Sequence, residues 1–321
     1  MVRRQLRRRS IRPIRFWTGR EGCNLLPKVT GHQRSVSNFV EAGIARAFLG
    51  LLRVLPYPWR IRFGGWIFQV LVGPLTGQRK RIAHNLDLVW PDLPRNARKN
   101  LMAQVPNYVG RTLIELFSPD EFSARAKKAP IEGAGLEALQ QCRETGRGAI
   151  LVSGHFGNYD VVRAGLTAAG YNVGALYRPM NNGYFNDLYV KTITQIAQPL
   201  FPRGRAGMSD MVRFLKSGGA LALLIDQHMG DGEDLSFFGK TARTATSAAK
   251  MAIKYDVPLI PFYSVRQPDG LNFKLVLEAP IEGDDPIEMT QALNDSLETQ
   301  VRAHPQQWLW THLRWKAETG R

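Results

Sequence analysis

A chain of 321 residues (36.1 kDa), 44% hydrophobic, 22% charged and 10% aromatic, has apolar side chains enough for one large core or two ordinary ones. That excludes a disordered, collagen-like or coiled-coil protein. Cys23 and Cys142 lie far apart with no Cys-x-x-Cys pattern, so neither a disulfide framework nor a cysteine zinc site is supported. The formal net charge of +16 is uneven: residues 1–34 hold ten Lys and Arg against Glu21 alone, a net +9. Such a basic arm suits a polyanion, either nucleic acid or the anionic cytoplasmic face of a membrane, where each Lys or Arg contributes about 1 kcal/mol. It reads equally as a solvated, disordered tail. No apolar stretch of about 7–15 residues follows the arginines before Pro27, so a cleaved secretory signal is not expected.

Over residues 39–55, Phe39, Val40, Ile44, Phe48, Leu51, Leu52 and Leu55 recur at helical spacing with Glu41, Arg46 and Arg53 between them, which predicts an amphipathic helix. Residues 63–78 then carry no charge, hold Trp66, Phe68, Val70 and Leu71, and end at Arg79, Lys80 and Arg81. This stretch, broken by Gly73 and Pro74, falls short of the roughly 20 apolar residues that span a bilayer. An interfacial or re-entrant segment fits, with the basic arm as the second of the two signals that stable peripheral anchoring needs. Two ordinary core helices are the competing reading.

Residues 91–96 (PDLPRN) form a turn before a helix over 97–117, and a linker at 130–135 precedes a helix over 136–145. Then the pattern changes. Residues 149–153 (AILVS), 173–177, 220–225 (ALALLI) and 259–265 are short apolar runs bounded by Gly, Pro or Asp and separated by helical stretches. They predict an α/β fold with a mostly parallel central sheet flanked by helices. Three regions follow: a basic arm (1–34), a helical, membrane-proximal region (35–146) and an α/β catalytic region (147–321), with 35–321 forming one compact unit. In such sheets ligands gather beyond the carboxyl ends of the strands.

Immediately after the first strand comes GHFGNYD, residues 154–160. His155 stands at the strand mouth, Asn158 can cap the next helix, and Asp160 follows five residues after the histidine. Positions five apart on a helix diverge by about 140°, so His155 must sit in the turn and lean over the helix start to meet Asp160. There the carboxylate can hold one ring nitrogen while the other takes a proton from a hydroxyl. A histidine at a strand end is also a common structural residue. Ser153 aside, no Gly-x-Ser-x-Gly elbow or nearby Cys offers a nucleophile, so the expected chemistry is direct transfer to a bound hydroxyl without a covalent enzyme intermediate.

Further motifs follow in a fixed order: Tyr177, Arg178, Pro179 and Asn181; Asp226 and Gln227; Phe237, Phe238 and Gly239 with Ala242 and Thr244; and VPLIP at 257–261. The last is Pro305, Gln307, Trp308, Trp310, His312, Arg314 and Trp315. With ILVSGHFGNYD, and with Arg79, Asn85 and Pro91 before it, the set closely resembles the late lipid A acyltransferases over residues 39–316. These are the lauroyl and myristoyl transferases of the bacterial lysophospholipid acyltransferase superfamily. The resemblance implies a glycerolipid-acyltransferase-like fold preceded by membrane-associated helices. It also implies transfer of a fatty acyl chain, usually from acyl carrier protein, to a hydroxyl of a lipid A precursor at the cytoplasmic face of the inner membrane. No cofactor is implied beyond an acyl carrier protein or coenzyme A thioester.

By matching positions, the resemblance makes His155 the general base and Asp160 its orienting partner; many relatives carry Glu there, a longer carboxylate for the same role. Because a thioester is already activated, the enzyme has mainly to deprotonate the acceptor, hold both lipids in register and stabilise the oxyanion. Arg178, with Asn181 beside it, is the candidate for that oxyanion or a substrate phosphate, or else a capping or surface arginine. Arg203 and Arg205 in FPRGRAG resemble the segment where related glycerolipid enzymes bind acceptor phosphate, or form a solvated loop. Asp226 and Gln227 line the cleft or order its loop, and Phe237 and Phe238 wall an acyl channel or belong to the core. The cluster Asp226, His228, Asp231, Glu233 and Asp234 has neither the glutamate that closes a calcium loop nor a zinc-like set, so no metal is expected. Two other readings stay open: the same chemistry on a lysophospholipid, ornithine lipid or glycolipid, and a nucleic-acid-binding protein, for which only the arm speaks.

Overall fold

Ser35 opens the first helix, its hydroxyl accepting the Asn38 main-chain N–H at 3.1 Å and so satisfying one orphan donor of the first turn. The structure, a computed structural model, describes residues 34–316. The basic arm before Arg34 lies outside them. The helical region runs α1 (Val36–Leu52), α2 (Tyr57–Ile67), a π turn (Phe68–Val72), α3 (Gly73–Leu75), α4 (Gln78–Val89), α5 (Arg95–Leu116) and α6 (Pro119–Ala126). Close approach holds α2 and its π turn on α5. A Cβ on Gly64 would stand 2.5 Å from Ile114 Cγ1, and one on Gly110 would stand 2.6 Å from Phe68 Cβ.

The uncharged stretch thus becomes helix, π turn and short helix, and among the described residues no helix is long and apolar enough to cross a membrane. Much of it faces outward. Among the described residues, every exposed large apolar side chain except Ile253 and Ile287 lies between positions 36 and 75, including Ile44, Leu51, Trp59, Trp66, Leu71 and Leu75. Arg62, Lys80 and Arg81 are exposed beside them.

The nine strands among the described residues are β1 (Ile131–Glu132), β2 (Ala149–Ser153), β3 (Val173–Tyr177), β4 (Leu200–Pro202), β5 (Ala220–Leu224), β6 (Glu233–Phe237), β7 (Lys240–Thr244), β8 (Leu259–Arg266) and β9 (Phe273–Leu277). Seven form one sheet in the order β1-β9-β8-β2-β5-β3-β4, parallel throughout except where β9 meets β8. β6 and β7 pair as a separate antiparallel hairpin. This is the mostly parallel, helix-flanked α/β sheet that the apolar runs predict.

Its helices are α7 (Gly135–Thr145), α8 (Asp160–Ala168), α9 (Gly183–Ile196), α10 (Arg205–Lys216), α11 (Ser247–Tyr255) and α12 (Pro286–Ala303). Alternation along β2 and β5 divides the core. Ile150, Val152, Leu221 and Leu223 pack with Met211, Leu215, Ala248 and Leu293 of α10, α11 and α12. Leu151 and Ala222 pack with Leu139, Val162 and Leu166 of α7 and α8. Burying each large aliphatic contributes about 1.5–3 kcal/mol, which is why both sides of these strands are apolar.

Candidate active site

β2 and β5 are neighbours in register, Ser153 beside Leu224, so the residues that follow them leave the sheet side by side at its carboxyl end. From β2 the chain enters the turn Gly154 to Tyr159. Gly157 there has φ +58°, and a Cβ on it would meet Ser264 O at 1.9 Å, so both backbone and space demand glycine. Asn158 Oδ1 accepts the Asp160 main-chain N–H at 3.1 Å and starts α8.

The turn presents His155 to Asp226. Its Nδ1 lies 2.7 Å from Asp226 Oδ1, and its main-chain N–H donates to Asp226 Oδ2 at 2.7 Å. Trp308 Nε1–H donates to the same Oδ2 at 2.9 Å. Asp226 is buried and the imidazole partly accessible, with 22% of its side chain exposed. With Nδ1–H donated to the carboxylate, the neutral ring keeps its lone pair on Nε2. Burial lowers the His155 pKa, but the Asp226 charge and hydrogen bond outweigh it and hold the imidazole above its usual 6.5. Burial likewise pushes Asp226 up, but His155 and the Trp308 donor outweigh it, leaving the carboxyl at about 2.

The carboxylate on the imidazole is therefore Asp226, and the expected pairing of His155 with Asp160 is corrected. Asp160 is gripped by Arg163 one turn along α8, and both side chains are buried. Arg163 also donates to the carbonyls of Ile193 and Ala197 at the end of α9. An i,i+3 partner on its own helix holds Asp160 in the α8–α9 contact, whereas sheet order brings Asp226 to the histidine. Asp160→Asn is expected to cost about 3–5 kcal/mol by leaving Arg163 charged and unpaired in the interior, read by denaturant unfolding, with activity per folded molecule within tenfold of wild type. Unchanged stability with activity lost would return Asp160 to the chemistry.

The other sequence candidates separate. Arg178 follows β3 and Arg203 follows β4, strands paired with Tyr177 beside Pro202, so both stand at the same end of the sheet as His155. Arg178 is exposed, its Nη2 3.5 Å from Asn181 Oδ1. Arg205 opens α10 and is exposed. Gln227 is exposed, and its carbonyl accepts Arg314 Nη1 at 3.5 Å. Phe237 and Phe238 are buried in an aromatic core with Trp90, Trp308, Trp310 and Trp315. Packing among six large rings explains that burial.

A carboxy-terminal strap, 305–316, closes the back of the site. Leu309 N–H donates to His155 O at 3.1 Å, and His228 N–H to His312 Nε2 at 2.9 Å. Burial lowers His312 to about 4, so it stays neutral and able to accept. Asn85 Nδ2 bridges the Trp310 and His312 carbonyls at 2.7 and 2.8 Å. The tryptophan donor to Asp226 has no sequence signal beyond its place in the last motif.

The sequence model of the family described as bacterial lipid A biosynthesis acyltransferase matches residues 31–317. The chain is 26% identical over 281 residues to the lipid A biosynthesis lauroyltransferase of Escherichia coli (strain K12), covering 84% of this chain and 89% of that protein. It is 27% identical over 279 residues to the lipid A biosynthesis palmitoleoyltransferase of the same strain, covering 82% and 86%. To a phosphatidylinositol mannoside acyltransferase of Mycobacterium tuberculosis (strain CDC 1551 / Oshkosh) it is 23% identical over 248 residues, covering 75% and 78%.

Proposed function

The chain belongs to the bacterial lipid A biosynthesis acyltransferase family, and on that premise we propose that it moves a fatty acyl chain from an acyl carrier protein thioester to a hydroxyl of a lipid A precursor, with His155 as general base. The observation that carries this reading is the 2.7 Å contact of His155 Nδ1 with Asp226, which leaves Nε2 to take a proton. The acceptor O–H gives its proton to Nε2 as its oxygen attacks the thioester carbonyl. The tetrahedral oxyanion then collapses, the C–S bond breaks, and the thiolate recovers the proton from the imidazolium. Positioned base catalysis of this kind is worth about 10²–10⁴. Arg178 at the same sheet end offers permanent charge to the oxyanion or to an acceptor phosphate, and Arg203 and Arg205 extend that basic edge.

Ser153 Oγ is buried away from solvent, which supports direct transfer over a covalent relay. The reaction needs no cofactor beyond the thioester, and coenzyme A is the alternative carrier. A lipid acceptor suits the outward-facing apolar side chains between positions 36 and 75 and the cations beside them. On this reading the protein sits peripherally on the cytoplasmic face of the inner membrane. Replacing Trp66 and Leu71 together by Glu is expected to weaken binding to anionic vesicles by more than about tenfold, because each buried apolar side chain is worth about 1.5–3 kcal/mol. Unchanged sedimentation with vesicles would contradict the assignment of this face.

The likeness to phosphatidylinositol mannoside acyltransferases supports a second reading, the same chemistry on another lipid. Acyl carrier protein thioester offered with lipid A precursor, lysophospholipid, ornithine lipid and phosphatidylinositol mannoside separates the two. Product on the lipid A precursor is expected. Product on another acceptor alone would replace the substrate and keep the mechanism.

A further inference from the structure

Behind the turn that carries His155 lies an ion pair that the proposed chemistry does not use. Glu115, near the end of α5, and Arg266, at the end of β8, have fully buried side chains in a two-pronged contact: Nη2 to Oε2 at 2.6 Å, and Nη1 to Oε1. Glu115 Oε2 also accepts Asn158 Nδ2–H at 2.9 Å. One turn earlier on α5, Thr112 Oγ1 donates to Gly157 O at 3.1 Å. On the far side, Gln307 exchanges two side-chain hydrogen bonds with the Arg266 main chain, at 2.8 and 3.0 Å, while its own carbonyl accepts Gly157 N–H at 2.8 Å. The two residues at the bend after the base are thus tied directly to α5 and to Gln307, and Arg266 links those two anchors to each other.

An ion pair this deep is an expensive way to gain stability, since apolar residues of similar size usually serve as well or better. What apolar residues cannot supply is an acceptor for the Asn158 amide at the bend, where Gly157 holds φ +58°. We propose that Glu115 is a positioning residue for the base: it anchors Asn158, and through it the turn that sets His155 against Asp226, while Arg266 neutralises and orients the carboxylate. The inference rests on His155 being the base.

Two double variants test it with both charges removed. Glu115→Leu with Arg266→Met deletes the acceptor, whereas Glu115→Gln with Arg266→Met keeps an amide oxygen for Asn158. With both folded, the Leu pair is expected to lose about ten- to a hundredfold in kcat at unchanged KM, as a small misplacement of a catalytic group does, and the Gln pair to recover most of it. Equal kcat in the two pairs, or a loss confined to KM, overturns the proposal. Where a double variant does not fold, Asn158→Ser decides. It leaves the ion pair intact and keeps a side-chain oxygen near the Asp160 N–H, and it should lower kcat about tenfold in protein that stays folded at the assay temperature; unchanged kcat overturns the proposal. A wild-type protein that transfers no acyl group would instead remove the reading on which the inference stands.

Discussion

His155→Ala is expected to reduce acyl transfer by at least about 10²–10⁴, the worth of a positioned general base, while vesicle binding and the far-UV spectrum stay at wild-type values. The main chain of the turn is held by the Asp226 carboxylate, the Gln307 carbonyl and the Leu309 N–H, none of which needs the imidazole. Truncating the ring therefore removes the proton acceptor and leaves the scaffold. Transfer at near wild-type rate would eliminate His155 as base, and loss of vesicle binding along with activity would indicate an unfolded protein.

Asp226→Asn should follow closely, with kcat lowered by up to about 10⁴, the scale seen when a carboxylate that fixes a catalytic histidine becomes an amide. The amide can donate to Nδ1, which places the ring proton on Nε2, where the base needs a lone pair. The pH profile adds a signed test. In the wild type, burial lowers the His155 pKa and Asp226 more than offsets it, so the acid limb of kcat/KM falls above pH 6.5. Without the carboxylate charge, burial acts alone and the limb moves to lower pH. The stability of the pair follows the same logic. Its His155 part is fully present below pH 6.5 and is lost as pH rises through the raised folded value, while its Asp226 part is present above 3.8 and is lost as pH falls toward about 2. The melting-temperature gap between wild type and Asp226→Asn should be widest between these limits. A gap independent of pH, with an unmoved acid limb, would show that the two groups are not coupled.

Strands buried on both faces announce themselves as unbroken apolar runs, and β2, β5 and β8 were legible for that reason, while β3, half-buried beyond Gly174, still reads as a short apolar run. The hairpin β6–β7 was not: EDLSF and KTART are mostly polar, with only Leu235, Phe237 and Ala242 apolar. β1 and β4, two and three residues long, are too short for any period to show. The π turn at Phe68–Val72 carries no compositional mark, and its uncharged residues read only as an apolar stretch.

The site divides along the same line. His155 was legible because it stands two residues past the end of β2, and Asp226 because it stands two residues past the end of β5. That they belong together depends on β5 lying next to β2, a fact of strand order that spacing cannot express. Asp160 was the nearer carboxylate in sequence, and Arg163 three residues on was the local sign of a different partner. Glu115 and Arg266 lie 151 positions apart and sit on elements whose patterns are otherwise those of ordinary core.

In the proposed mechanism a histidine held by Asp226 takes the proton of a lipid hydroxyl, and that oxygen takes the acyl group directly from the thioester. That mechanism is met most directly by a single-turnover time course from labelled acyl carrier protein thioester to lipid A precursor, with wild type, His155→Ala and Asp226→Asn run side by side and both lipid and protein analysed for label. The predicted result is label on the lipid with wild type, none above background with His155→Ala, a strongly slowed transfer with Asp226→Asn, and no label on the protein at any time. Label that appears first on the protein, or reaches the lipid equally fast with His155→Ala, would contradict it.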